Sequence, residues 1–285
     1  MMRPSDPKPE MLSLLACQIL VPPMITVTER DAHLARTVDK VRAAIVAADT
    51  AIDLVVLPEL SSLEYATATF DHLEHLAEPL EGPSFQAWRA VAIEQNVHVC
   101  YGFARREGRS CFISMAVVGP DGRLSGHYDK MHLAQFGASG EKVYFERGER
   151  LFTFRIKDFI LAPIICYDIR IPEMSRALVL DHGVDVILHC GAYFRDESFA
   201  TWHSFAITRA LENQVYLMSL NRAGAGFGRS LFCPPWQDEN THPLLFSETD
   251  EDFRQVTLDR QTLLTTRATY TFLEDRHAVY RKDPG

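Results

Sequence analysis

Three reactive side chains in this sequence sit beside apolar runs. Glu59 follows Leu54-Val55-Val56-Leu57-Pro58, and Cys166 follows Leu161-Ala162-Pro163-Ile164-Ile165. Lys130 lies in His127-Tyr128-Asp129-Lys130-Met131-His132-Leu133, downstream of a strand and its turn. A carboxylate, an ammonium and a thiol are a base, a cation for a developing oxyanion and a nucleophile, the parts that covalent acyl transfer needs. The C-terminal ends of buried strands are where open α/β sheets place their sites. Each residue also has a plain alternative. Glu59 can be an exposed loop acid, Lys130 a solvated surface amine, and Cys166 a buried structural thiol. What singles out Cys166 is the density of polar residues after it, Tyr167-Asp168 and Arg170 with Glu173, where a core strand would stay apolar. A tight strand-to-helix turn there would present the thiol to a pocket and aim the following backbone N–H groups at an oxyanion.

The elements that must position these groups alternate between strand and helix. Met11 to Leu20 is predicted as a first buried strand. The export-signal reading of Leu14-Leu15-Ala16-Cys17 fails because the apolar run is short and residues 1–10 carry no net positive charge. Arg30 to Ala48 has apolar residues at helical spacing, and Asp53 to Leu57 is a strand stopped by Pro58. A helix over 84–95 opens after Gly82-Pro83. Strands are expected over 97–103 and 112–118, the second closed by Gly119-Pro120-Asp121-Gly122. The second half continues with strand 159–166, helix 172–182, strand 184–189, helix 198–213 and strand 215–220. Phe253 to Leu258 alternates as one more strand before a polar, aromatic tail. The pattern implies an α/β protein with buried sheets. A single domain over 11–285 is expected, with a flexible tail over 1–10 and a C-terminal segment available for oligomerisation.

Composition narrows the partners. Of the 285 residues 47% are hydrophobic and 24% charged, a globular balance, and a net charge of -9 disfavours nucleic acid and anionic membranes. No run approaches the roughly 18 apolar residues of a membrane span. Cysteines at 17, 100, 111, 166, 190 and 233 form no Cys-x-x-Cys pair, which suits buried free thiols in a reducing cytoplasm with one reactive exception. His72 and His75 lack a carboxylate-rich ligand set, so a solvated helix face is preferred to a metal site. Gly224-Ala225-Gly226-Phe227-Gly228 lacks the Lys-Ser/Thr ending of a phosphate loop and is read as a flexible wall of the site. Trp88, Trp202 and Trp236 are core or interface aromatics.

Taken together, in this order, the motifs resemble the nitrilase superfamily of carbon–nitrogen hydrolases, whose triad is Glu, Lys and Cys. The matching stretches are Leu57-Pro58-Glu59, Lys130 with His132-Leu133, and Cys166-Tyr167-Asp168 with Arg170, Pro172 and Glu173. Further likeness lies in Tyr144-Phe145 with Gly148, Arg209-Ala210 with Glu212-Asn213, Asn221-Arg222, and Gly228-Arg229-Ser230 before Pro235-Trp236. It spans about residues 12 to 280. The resemblance implies a four-layer αββα sandwich, homodimers or higher homo-oligomers, and no metal or organic cofactor. It also implies a second glutamate between the lysine and the cysteine, for which Glu141 fits best and Glu146 less well. Two departures concern substrate: His189-Cys190 stands where relatives often carry proline after the strand, and Gln237 replaces a common glycine.

Nitrile hydrolysers of this superfamily commonly carry Trp-Glu after the cysteine. Tyr167-Asp168 followed by Arg170 instead resembles the amidases of small carboxylated amides, such as ω-amidase and deaminated-glutathione amidase. The expected activity is hydrolysis of a small, non-peptide amide through a thioester at Cys166, with Glu59 as base and Lys130 on the oxyanion. Tyr167, Arg170, His189 and Asn221 are the candidate substrate contacts. Arg170 could grip a carboxylate bidentately or form a structural ion pair behind the turn. An N-carbamoyl hydrolase is the nearest rival, followed by a nitrilase or a non-catalytic interaction protein of the same fold. The last would need none of Glu59, Lys130 and Cys166.

Overall fold

The computed structural model describes residues 10–135, 139–277 and 279–282. The chain begins with β1 (Met11–Gln18), α1 (Val27–Val46), β2 (Leu54–Val56), two short turns of helix, α2 (Thr67–Phe70) and α3 (Leu73–Leu76), and then α4 (Pro83–Gln95). There follow β3 (His98–Glu107), β4 (Ser110–Val118), β5 (Leu124–Asp129) and the single turn α5 (Glu141–Tyr144). The second half contains β6 (Phe154–Ile156), β7 (Phe159–Ile165), α6 (Pro172–Leu180), β8 (Val186–Cys190), α7 (Phe199–Asn213), β9 (Tyr216–Leu220), β10 (Leu231–Cys233) and β11 (Leu244–Leu245). It closes with β12 (Asp252–Asp259), α8 (Arg260–Thr269) and α9 (Phe272–Asp275).

Two six-stranded sheets result, ordered β12-β1-β2-β3-β4-β5 and β11-β10-β9-β8-β7-β6. Each has three parallel strands at its centre, β1-β2-β3 or β7-β8-β9, flanked by antiparallel neighbours. The sheets pack on each other through β1 against β9 and β4 against β7, with α1 and α4 outside the first sheet and α6 and α7 outside the second. This is the αββα sandwich that the resemblance implied. Strands buried on both faces explain the near-continuous apolar runs of β2, β7 and β8, whose residues are almost all inaccessible.

Local chemistry sets the helix boundaries. α1 starts three residues before the predicted Arg30 because Thr26 and Glu29 form a reciprocal capping box, with Glu29 N–H donating to Thr26 Oγ1 and Thr26 N–H to Glu29 Oε2. Pro83 occupies the first turn of α4, as its fixed φ allows, and Asn96 ends the helix in the left-handed region. Among the described residues, no helix is long and apolar enough to cross a membrane.

Two expectations need correction. The polar, aromatic stretch read as a tail after the last strand contains a helix: β12 pairs antiparallel with β1 from Met11↔Asp259 to Gln18↔Asp252, and α8 follows. Only Leu263 and Thr266 of α8 are buried, too few to give a helical period. Arg260 and Arg267 fasten α8 to the buried carboxylate of Asp185 at 3.1 and 2.9 Å. Cys111, expected among the buried thiols, is partly exposed. The predicted N-terminal tail lies outside the described residues apart from Glu10, as do residues 136–138 of the loop before Glu141.

Candidate active site

Glu59, Lys130 and Cys166 meet between the sheets because β2, β5 and β7 all deliver their C-terminal ends to one edge of the sandwich. Glu59 lies three residues past β2, and Leu60 beside it turns the chain with φ +47°. That turn sits directly on β3. A Cβ at Gly102 would fall 2.4 Å from the Pro58 carbonyl oxygen and 2.7 Å from Leu60 N, so only glycine admits the approach. Lys130 follows β5 and is held by its backbone: its N–H donates to Ile113 O, and its carbonyl accepts from Gly148 N, both at 2.9 Å. Gly148 is fixed for the same reason as Gly102, since its Cβ would lie 2.1 Å from Asp129 O.

Lys130 is fully buried and bound by two buried carboxylates, Glu59 Oε1 at 2.8 Å and Glu141 Oε1 at 2.6 Å. Glu141, placed by α5, also accepts from Tyr65 Oη at 2.6 Å and from Ala134 N at 2.8 Å. Glu59 Oε2 is buried and accepts no hydrogen bond from any described residue. Burial pushes the Glu59 carboxyl above the usual carboxylate range; Lys130 opposes that rise and Glu141 adds to it. Burial alone would depress the Lys130 ammonium, but Glu141 and Glu59 outweigh it and hold the charge well above its ordinary range.

Cys166 opens a 3₁₀ turn, Cys166–Arg170, with φ +45°, a left-handed conformation unusual for a residue with a side chain. Buried polar groups hold it there. Asp168, fully buried, accepts from Ile165 N at 2.9 Å and Tyr128 Oη at 2.7 Å through Oδ2, and from His132 N at 3.1 Å through Oδ1. It therefore ties the cysteine turn to the segment carrying Lys130. The Cys166 carbonyl accepts from Tyr193 Oη at 2.8 Å and lies 3.0 Å from His189 Nε2. Because a carbonyl only accepts, His189 carries its proton on Nε2. Its Nδ1 then accepts from Ser219 Oγ at 2.7 Å, and Ser219 accepts in turn from Trp202 Nε1 at 2.8 Å. Burial holds His189 neutral, its pKa lowered to about 4.

The thiol does not rest as a thiolate. Burial and the charge of Glu59 push the Cys166 thiol well up, while Lys130 and the Ala192 backbone N–H, which donates to the sulfur, pull it down. Lys130 pulls the thiol down without prevailing, its charge being shared between two carboxylates.

Cys166 forms part of the wall of a cavity of about 370 Å³, together with Tyr65, Tyr167, Arg170, Ala192 and Tyr193. That is room for a small molecule. Of the four candidate substrate contacts, Tyr167 and Arg170 line it. His189 and Asn221 do not: both are fully buried behind the wall. The Asn221 side chain accepts from Tyr193 N at 2.8 Å and donates to Tyr193 O and Gly228 O, clamping two loops together. Arg170 donates to Thr201 Oγ1 and Ser198 O, both at 3.3 Å, and its guanidinium lies 4.9 Å from the Phe205 ring, so it is fastened to the start of α7. The glycine-rich stretch reaches the cavity through Phe227, and Trp202 stacks on Tyr193 at 4.6 Å.

Tyr65, Tyr193 and Arg222 escaped sequence reasoning. Arg222 is fully buried and donates to Leu60 O at 2.9 Å and to Leu63 O, bracing the Glu59 turn from the second sheet. The only local hint was its place in the Asn221-Arg222 pair at the end of an apolar strand.

Comparison with known proteins places the chain in a family. The carbon-nitrogen hydrolase family matches residues 16–263. An (R)-stereoselective amidase of a Pseudomonas species is 31% identical over 250 residues, covering 87% of this chain and 86% of that protein. The 2-oxoglutaramate amidase of Bacillus subtilis (strain 168) is 31% identical over 191 residues, covering 65% and 71%. In structure, a carbon-nitrogen hydrolase from Helicobacter pylori G27 superimposes with a TM-score of 0.80 at 22% identity, covering 94% of this chain and 96% of that one.

Proposed function

The chain belongs to the carbon-nitrogen hydrolase family, and from that premise we propose that it hydrolyses the amide bond of a small molecule through a thioester at Cys166, releasing ammonia. The observation that carries this reading is the buried array of Glu59, Lys130 and Glu141 beneath a pocket whose wall is Cys166. Burying two carboxylates and an ammonium commonly stabilises a fold no better than an apolar core, so their convergence beneath a thiol supports a chemical role.

Each group has a task that fits its surroundings. Glu59, its basicity raised by burial and with Oε2 left for a proton, takes the thiol hydrogen as the sulfur attacks the amide carbon. The Cys166 carbon–sulfur bond forms as the carbonyl electrons move onto oxygen. Lys130 spends two of its three N–H groups on Glu59 and Glu141, and the third meets that oxyanion with the backbone N–H of Tyr167. Collapse expels the amine, which takes the proton from Glu59 and leaves as ammonia. Glu59 then deprotonates a water that attacks the thioester, and the carboxylic acid departs with the thiol restored. Glu141 with Tyr65 positions Lys130; Asp168, His189 and Tyr193 position the cysteine turn.

Ammonia release over ω-amides, N-carbamoyl amino acids and simple nitriles, with Cys166→Ala as the blank, tests this reading. Ammonia from an amide without carbon dioxide supports it. Carbon dioxide alongside ammonia would move the assignment to ureido substrates, and turnover by the Cys166→Ala protein would overturn the nucleophile.

A further inference from the structure

The pocket above Cys166 is walled by two carboxylates, Glu64 and Asp196, and by one guanidinium, Arg170. That guanidinium already donates to Thr201 and Ser198 and stacks on Phe205. The neighbouring cations are likewise committed. Arg195 donates to Phe227 O at 3.0 Å and to Glu248 O and Oε1, and Lys130 lies between Glu59 and Glu141. Glu64 accepts from Thr69 Oγ1 and Asp196 from Ser198 N, neutral donors that leave both carboxylates charged, so among the described lining residues a substrate carboxylate would meet two negative groups and one positive.

Among the described residues, Tyr65, Tyr167, Tyr193, Phe194 and Phe227 bring aromatic rings to the same wall, between small and hydroxyl-bearing side chains. Phe194 is 47% exposed, an apolar ring left open to solvent, and it meets Phe227 edge-to-face at 5.5 Å. The chain makes room for this ring: a Cβ at Gly226 would fall 2.6 Å from it. An exposed aromatic beside a reactive thiol is a surface that a ligand's apolar part can cover.

We propose, building on the amidase reading, that the site takes amides whose non-reacting end is apolar or aromatic, neutral or bearing an ammonium, and that it discriminates against a carboxylate there. Phe194 and Phe227 hold the apolar body, and Glu64 and Asp196 select its charge. Specificity then rests on repulsion of the wrong ligand as much as on contact with the right one.

Calorimetric titration of Cys166→Ala protein with three phenylacetamides tests this, the para substituent being aminomethyl, methyl or carboxylate. The first two are expected to bind, and the carboxylate about tenfold more weakly or worse, as a like charge at the wall implies. Adding Glu64→Gln and Asp196→Asn, which keep shape and one acceptor oxygen each for Thr69 Oγ1 and Ser198 N–H, should shrink that gap to less than about threefold. Tighter or equal binding of the carboxylate, an unchanged gap in the triple variant, or no binding of any of the three overturns the proposal. Ammonia release by the unmodified protein judges the reaction separately: correct binding order without turnover would sink the amidase reading and leave the pocket's preference standing.

Discussion

Glu141→Gln isolates the contribution of the second carboxylate at Lys130. The glutamine keeps the shape, and its amide oxygen can replace Oε1 as the acceptor for Tyr65 Oη and Lys130 Nζ, both now at 2.6 Å. Its NH2 group then faces the Ala134 N–H, which at present donates to Oε2 at 2.8 Å. Two donors oppose each other, and the lysine has lost a counterion. At 2.6 Å the gross attraction between unit charges is about 6 kcal/mol at an effective dielectric near 20. Removing one partner of a buried pair typically costs about 3–5 kcal/mol. Glu59 remains 2.8 Å from Lys130, so the lower end applies, about 3 kcal/mol, or about 5 °C in Tm for a chain of this size. Activity has a sharper signature. The charge of Glu141 helps raise the Glu59 carboxyl, so its removal lowers that pKa. A base must be deprotonated, and activity rises with pH through its pKa. The acid limb of kcat/KM should therefore move to lower pH, and kcat should fall about tenfold or more as Glu59 becomes the weaker base. Calorimetry and a pH–rate profile of the two proteins provide both numbers. An acid limb that stays in place or moves to higher pH would refute the coupling of Glu141 to Glu59 through this site.

Other perturbations probe the supports. Asp168→Asn should cut kcat by about tenfold or more with little change in KM, because the turn that presents Cys166 loosens while the pocket wall remains; an equal rise in KM would place Asp168 in substrate binding instead. His189 is expected to make the fold acid-sensitive. Its folded pKa of about 4 lies below the ordinary 6.5, so its contribution is complete above pH 6.5 and is lost as pH falls toward 4, roughly 3 kcal/mol in all. His189→Gln should flatten that part of the stability–pH curve in urea titrations, and an unchanged slope would remove the histidine from the account. Arg170→Lys should weaken neutral and carboxylated amides alike, since the guanidinium holds α7; a KM rise confined to carboxylated amides would show that it grips substrate.

The candidate site was legible in the sequence through its strands. Glu59 and Cys166 were visible because each breaks an apolar run where β2 and β7 end, and that contrast survives without coordinates. Glu141 was nameable only from family likeness, since a single helical turn with one buried residue has no period to detect. Tyr65, Tyr193 and Arg222 act through partners 76, 27 and 162 positions away, and no local pattern encodes such pairings. Short strands were lost for a related reason: β10 and β11, three and two residues long, are defined by their neighbours rather than by alternation. His189 was noticed as a departure beside the pocket, but its direction, toward the Cys166 carbonyl and away from the cavity, depends on the left-handed turn opposite it.

Rapid-quench mass spectrometry of the peptide containing Cys166, taken from protein mixed with an amide that it turns over, shows whether hydrolysis passes through a thioester there. A transient mass increase equal to the acyl group is expected on that peptide alone. It should persist longer in Glu59→Gln protein supplied with an activated ester, because the water that clears it has lost its base. Steady turnover without any acylated Cys166, or an acyl group found on another of the six cysteines, would contradict that route.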